Sequence, residues 1–291
     1  MKYQISHRTF YDYASDVSLS EQILHLEPRN TERQSVRDPA IIIEPEPAYI
    51  ERYRDAFGNR SMIITIEQAH QRLSIEGKSE IDVQAPPAYS PDATPPWEDA
   101  ASYRHAMPTG LAATAVPFAF PSLHTPADDA IEAYARQSFT PGRPILAAAL
   151  DLNHRIFTDF KYDPAATTVT THVTDLLTLK RGVCQDFSHL MLACLRVLGV
   201  PARYVSGYLL THPPAGQEKL IGADASHAWV SLFVPGTGWV DLDPTNDLIP
   251  QDEHITLAYG LDYADVAPIA GVVYGGGRQQ LSVAVDVTAQ D

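Results

Sequence analysis

One segment limits the architectures open to this chain more than any other: Val183 to Gly199 reads as a helix buried on most of its sides. Phe187, Leu190, Met191, Cys194, Leu195 and Leu198 recur at i, i+3, i+4, i+7, i+8 and i+11, one apolar stripe at the helical period. Leu192 and Ala193 widen that stripe, Gly199 supplies the stop, and Pro201 follows it. From Pro201 onward strands dominate, at 202–210, 228–234, 239–242 and the alternating Leu281, Val283, Val285 and Val287.

The regions before this helix differ in kind. Met1 to Asp82 carries short alternating runs, such as Ile63–Thr65–Glu67 against Ile64–Ile66, with turn signals at Gly58-Asn59 and Gly77-Lys78. Gln84 to Trp97 holds Pro86, Pro87, Pro91, Pro95 and Pro96, which favour extended backbone poor in hydrogen bonds. Thr125-Pro126-Ala127-Asp128 is a helix start with proline at the first turn, Pro144–Ile156 has helical spacing, and Thr174–Leu179 forms a shorter helix. The expected organisation is a β-rich, sandwich-like N-terminal domain over 1–85, a proline-rich linker over 86–125, and an α+β domain over 126–291. In that last domain a cysteine-bearing helix packs on an antiparallel sheet.

Charge and cysteine usage exclude several function classes. Among 291 residues, 21 basic against 36 acidic side chains give a formal net charge of −15, which disfavours phosphate backbones and anionic lipid, so neither nucleic acid nor membrane is an expected partner. Two cysteines cannot build a disulfide framework. The opening residues lack the apolar core of a signal peptide, and the expected location is cytoplasmic. No H-E-x-x-H, paired C-x-x-C, phosphate-cradling G-x-x-x-x-G-K or G-x-S-x-G is present, so no metal, cofactor or serine nucleophile is expected.

The two cysteines occupy different environments on one helix. Cys184 opens it, where unpaired N–H groups and the positive end of the dipole stabilise a thiolate and can receive an oxyanion. Cys194 lies mid-stripe; at about 1.5 Å per residue it is roughly 15 Å away, too far to bridge, and a core role explains it. A lone cysteine is most often a small buried hydrophobe, so Cys184 needs a base before it means anything. His227 precedes a hairpin, Ser226–Val234 and Trp239–Asp243 about Pro235–Gly238. A turn centred near Pro235–Thr237 sets Trp229 opposite Asp243 and His227 opposite Thr245. His227 and Asp243 are then diagonal neighbours about 7–8 Å apart at Cα, within side-chain reach. Asp241 has the same parity but sits closer to the turn. An imidazole held by a carboxylate, with its other nitrogen free for a thiol, is the arrangement nucleophilic catalysis requires.

Long motifs in order then resemble one family. Tyr162-Asp163-Pro164, Arg181-Gly-Val-Cys-Gln-Asp-Phe-Ser-His189, Gly199-Val-Pro-Ala-Arg-Tyr-Val-Ser-Gly-Tyr208, Ser226-His-Ala-Trp229 and Gly238-Trp-Val-Asp-Leu-Asp-Pro-Thr-Asn246 resemble the bacterial transglutaminase-like superfamily. So do Asp55-Ala-Phe-Gly-Asn59 in the front region and the tail motifs at 260–266 and 271–275. The resemblance implies a papain-like core with Cys184 as nucleophile, His227 as general base and acid, and Asp243 as the group that orients it. The family's tail motif usually has an arginine where this chain has Leu261.

Tyr162, Asp186, His189 and Trp229 are further candidates for oxyanion or substrate contacts, with helix capping, core hydrogen bonding and packing as their ordinary explanations. Trp229 and Trp239 are expected to pack against the triad. Thr211–Ala225 has the length of a rim over the cleft, and Gly275–Gly277 reads as a turn. The expected activity is a cysteine peptidase or amidase acting on a peptide or protein substrate through a thioester, without cofactor. Resolution of the thioester by an amine would make it a transglutaminase, and a non-catalytic scaffold of the same fold is the contrasting reading. The β domain could guide substrate, cover the cleft or mediate a homo-oligomer.

Overall fold

The computed structural model describes residues 1–106, 108–168, 171–211 and 225–290. The chain runs β1 (Lys2–Glu27), β2 (Gln34–Glu44), β3 (Tyr49–Arg54), β4 (Arg60–Ile66), β5 (His70–Val83), α1 (Trp97–Ala101), α2 (Leu111–Ala115), α3 (Asp129–Arg136), α4 (Ile145–Asp159) and β6 (Lys161–Tyr162). It continues through α5 (Val173–Leu179), β7 (Arg181–Gly182), α6 (Cys184–Val197), β8 (Ala202–Leu209), β9 (Ala225–Val234), β10 (Gly238–Leu242), β11 (His254–Gly260), β12 (Ile269–Gly275) and β13 (Gln279–Gln290). The class is α+β, as expected, and no described helix is long and apolar enough to cross a membrane.

The buried helix organises the main core. Every residue of α6 from Asp186 to Arg196 is buried. One side packs on an antiparallel sheet of order β10-β9-β8-β11, and the others meet α3, α4 and α5. Ala228, Val230, Leu232 and Val234 of β9 and Val240 and Leu242 of β10 join Leu190, Met191 and Leu195 in that core, the alternation expected of strands with one face against a helix. The β9–β10 hairpin pairs Trp239 with Phe233 and Leu242 with Val230, the register read from its turn.

The N-terminal sheet is sandwich-like because one strand bends. The first half of β1 pairs β5 on one side and β13 on the other; its second half pairs β4 and β12, with register shifts between Asp12 and Leu19. The two halves face each other across one core, where Leu24, Met62 and Ile64 meet Leu73 and Ile75. At the bend Gly275 and Gly276 take positive φ of 98° and 79°, and a Cβ on Gly275 would strike the Asp16 carbonyl.

Two expected boundaries are corrected. The tail does not belong to a separate unit over 126–291: β12 and β13 lie in the N-terminal sheet, because the long β1 offers them a free edge while their apolar residues supply Val285 and Val287 to the inter-sheet core. Nor is 86–125 a linker. Its prolines separate short helices, and Trp97 and Ala100 lie within the main core. Arg196, fully buried on α6, fastens this segment by donating to the Phe118 carbonyl at 3.2 Å and Thr125 Oγ1 at 2.8 Å, while also reaching the Ala202 and Leu261 carbonyls at 2.8 and 2.7 Å. A buried arginine satisfied this fully is a structural junction.

The two sheets are joined by amides as well as by apolar contact. Tyr3, Ile5 and Val287 pack on Tyr208, Ile255 and Leu257. β11 ends its sheet, and its outward backbone would be an open edge. Gln34 seals one position, donating to the Thr256 carbonyl at 2.7 Å and accepting its N–H at 2.8 Å. Asn59 does the same for Tyr259, at 2.7 and 2.9 Å. Asp55 holds Asn59 in place by accepting its backbone and side-chain N–H groups at 2.8 and 2.7 Å, which gives the Asp55–Asn59 motif a physical role.

Candidate active site

The chain enters α6 through a constrained turn. Val183 is extended, with φ −119° and ψ 179°, and Asp186 at the third helical position accepts its N–H at 2.8 Å and the Thr167 hydroxyl at 2.6 Å. This caps the helix from within, since valine has no side-chain acceptor. Gly182 must be glycine: a Cβ there would lie 2.8 Å from Asp186 Oδ2 and 2.9 Å from its Cβ. Burial raises Asp186, against its two hydrogen bonds. The result puts Cys184, half-buried, on the first turn, with the free N–H groups of the helix around it.

The imidazole comes from the opposite direction. His227 lies on β9 across from Gly207 of β8, where a Cβ would collide with the Ile255 carbonyl and the Trp229 ring. Its Nε2 is 2.7 Å from Asp243 Oδ2, which leaves Nδ1 for the Cys184 thiol, which lines the same cleft. The structure thus brings Cys184, His227 and Asp243 together. Burial alone would lower His227, but Asp243 and Cys184 outweigh it and raise it to about 10. Burial alone would raise Asp243, but its histidine partners outweigh it and hold the carboxyl far below its ordinary range.

Asp243 is more heavily held than its expected role requires. Oδ2 also accepts from His254 Nε2 at 3.0 Å and Asn246 Nδ2 at 2.7 Å, and Oδ1 accepts the backbone N–H groups of Thr245 and Asn246 at 2.9 and 3.2 Å. His254 and Asn246 were not singled out by sequence reasoning. Asn246 lies within a quoted motif and only three residues from Asp243, so turn chemistry could have found it. His254 arrives on β11, which pairs with β8 rather than with its sequence neighbour, and nothing local signals it. His227, Asp243 and His254 form the one group of possible metal ligands among the described residues, with ligand atoms within 4.8 Å of one another. All three side chains are buried and bonded to one another through Asp243.

The secondary candidates separate. Tyr162, bridged to Gly182 and 52% exposed, stands beside Cys184; burial and then the Cys184 charge raise its hydroxyl. His189 is buried behind the site, stacked on His124 at 5.1 Å and accepting the Tyr263 N–H at 3.2 Å. Burial lowers it to about 3, which keeps it neutral. Trp229 is fully buried and packs on His254 at 5.3 Å and His227 at 6.0 Å, a floor under the cluster. Trp239 corrects expectation: it packs on Phe118 and Phe233, further along the sheet, because the hairpin turn carries it away from Asp243. Of the expected rim, residues 212–224 lie outside those described.

A cleft of about 250 Å³ opens over Cys184 and His227. Tyr204 forms part of its wall, and Tyr11 of β1 and Leu281 and Val283 of β13 form another part. The N-terminal sheet with its returning tail therefore lines the cleft. The bacterial transglutaminase-like N-terminal region matches residues 3–82, and the transglutaminase-like superfamily matches residues 132–244. The chain belongs to the transglutaminase-like superfamily. An uncharacterised protein of Mycobacterium tuberculosis is 40% identical over 295 residues, covering 98% of this chain and 92% of its own. A protein-glutamine gamma-glutamyltransferase of Pseudomonas aeruginosa is 32% identical over 147 residues, which is 48% of this chain and 22% of that protein. The crystal structure of a protein described as a cysteine protease candidate, from Cytophaga hutchinsonii, superposes with a TM-score of 0.74 at 23% identity, over all of this chain and 92% of its own, which supports the fold. Within this transglutaminase-like frame the two family matches span β1–β5 and the stretch from α3 to Asp243, so the packed helices at 86–125 and the tail strands lie outside both. Leu261, where the family usually has arginine, donates its N–H to Asp265 at 2.8 Å and gives its carbonyl to Arg196.

Proposed function

We propose that this transglutaminase-like protein is a thiol-dependent hydrolase, a cysteine peptidase or amidase that cleaves peptide or carboxamide bonds. The observation that carries the reading is the His227 ring, bonded to Asp243 through Nε2 and sharing one cleft with Cys184 at the start of α6. The Cys184 sulfur attacks the carbonyl carbon, and the negative charge that develops on oxygen is received by the Cys184 N–H at the helix start, with Tyr162 positioned beside it. His227 gives its proton to the departing amine as the C–N bond breaks, leaving a thioester. It then takes a proton from water as the hydroxide equivalent attacks, and the thiolate leaves. Asp243 holds the ring and balances its charge throughout. Cys184 is half-buried and Tyr162 largely exposed, so water reaches the thioester; that favours hydrolysis.

The similarity to a protein-glutamine gamma-glutamyltransferase favours a second reading, in which an amine resolves the same thioester. Acetylation by p-nitrophenyl acetate tests both. Intact mass measurement should show one acetyl group on Cys184 that decays at a rate little changed by added methylamine. Discharge dominated by methylamine would make the protein a transferase. An absence of acetylation in wild type, matching Cys184→Ala, would leave only the scaffold reading.

A further inference from the structure

A larger cleft, of about 950 Å³, lies where the N-terminal sheet, the 86–125 segment and the β8–β11 sheet meet. Its wall contains an alternating stack of rings and guanidinium groups drawn from all three regions. Phe57 packs on Phe118 and Phe118 on Trp239, with ring centroids 5.8 and 5.5 Å apart. Arg203 of β8 lies 4.1 Å from the Trp239 ring and 3.4 Å from the Tyr259 ring, and Arg29 lies 4.1 Å from that same Tyr259 ring. Two cations therefore share one tyrosine.

Neither cation is compensated by a hydrogen-bonded carboxylate. Arg29 donates to neutral acceptors, the Phe57 carbonyl and Asn59 Oδ1, and its Nε is buried without a partner. Arg203 makes no hydrogen bond or ion pair among the described residues, and its Nε is likewise buried and unpartnered. A third cation, Arg33, is paired with Asp241 at 3.5 Å. Asp55, whose charge acts on Arg29, accepts N–H groups of Phe57 and Asn59 and lies 3.8 Å from His25 Nε2, and Glu32 also lines the cleft. Unpaired buried N–H donors and like charges in close approach are costly in a half-buried wall, and a guanidinium edge matches the geometry of an oxyanion. This concentration of positive charge stands out in a chain of net charge −15.

We propose that this cleft is a binding site for a small amphipathic oxyanion, a carboxylate or phosphate carried on an apolar or aromatic body, with Arg203 and Arg29 receiving the oxygens. The volume is that of a site for a small organic ligand, and Trp239 and Phe118 supply apolar walls. The site is separate from the Cys184 cleft and independent of what that cysteine does. A ligand there touches three segments at once, so its binding stabilises their junction.

Calorimetric titration with phenyl phosphate and with benzoate, at fixed ionic strength, tests the proposal and tells the two oxyanion sources apart. Saturable binding of at least one is expected, about tenfold weaker in Arg203→Met and unchanged in Cys184→Ala. Asp241→Asn removes the negative charge that competes for the same cations and should tighten binding severalfold, a result that loss of packing could not produce. If circular dichroism shows Arg203→Met unfolded, Asp241→Asn decides alone: tightening supports the site, and unchanged or weaker binding overturns it. Failure of both ligands to saturate by about 10 mM, or affinities indifferent to both substitutions, overturns it as well.

Discussion

Replacing Asp243 with asparagine removes one charge from the most heavily bonded group of the site while preserving its shape. In the folded protein His227 is raised from 6.5 to about 10, with burial opposing the rise and Asp243 and Cys184 supplying it. At 1.36 kcal/mol per pKa unit this corresponds to about 5 kcal/mol as an upper bound, and breaking a buried pair by removing one partner commonly costs ~3–5 kcal/mol. A raised histidine contributes stability that is fully present below its unfolded value and is lost as pH rises from 6.5 through about 10. The depressed Asp243 contributes stability that is present above its ordinary value of 3.8 and lost as pH falls toward its folded value. The difference between wild type and Asp243→Asn should therefore be largest between about pH 4 and 6.5 and shrink toward pH 10. Urea unfolding at pH 5.5 and 9.5 measures it. Side-chain NMR of nitrogen-labelled histidine should show His227 as an imidazolium at pH 8 in wild type and neutral in the variant, because burial remains when the carboxylate charge is gone. A stability loss below about 1 kcal/mol at pH 5.5, or a wild-type His227 that titrates near 6.5, would refute the reasoning.

Three other substitutions probe the frame around the site. Gly207→Ala places a methyl group against the Ile255 carbonyl and the Trp229 ring; neither can yield cheaply, and unfolding measurements should show a loss of about 3 kcal/mol or more together with loss of activity. Asn59→Ala strips both caps from the Tyr259 backbone and should lower the thermal midpoint, at a cost of about 2–4 kcal/mol, while Cys184 stays reactive. Cys194→Ala removes a sulfur with no exposure, whose thiol burial pushes up to about 12; stability should fall by about 1–2 kcal/mol with no change in acylation by p-nitrophenyl acetate.

What could be read in the sequence was local. The stripe from Phe187 to Leu198 found α6 because one helix carries its own period, and the β9–β10 register followed from the short turn at 235–237. Those two elements carry Cys184, His227 and the approach to Asp243, so the heart of the site was legible. The rest depended on contacts between distant parts of the chain. β13 joins β1 across almost the whole sequence, pairing Lys2 with Gln290, and alternation alone does not tell a strand which sheet to enter. His254 reaches Asp243 only through the pairing of β11 with β8. The prolines at 86–96 announced breaks in hydrogen bonding, and the structure places them just before α1, which buries Trp97 and Ala100 in the main core. The arginine stack at Tyr259 needs residues 29, 203 and 259 to meet, which no spacing predicts.

The central claim, that Cys184 is a nucleophile activated by His227, is tested most directly by mapping iodoacetamide alkylation residue by residue in wild type and His227→Ala near neutral pH. Cys184 should be modified first, at least about tenfold faster in wild type than in the variant, with the buried Cys194 untouched in both. Equal rates at Cys184 with and without His227, or modification of Cys194 ahead of it, would contradict the account.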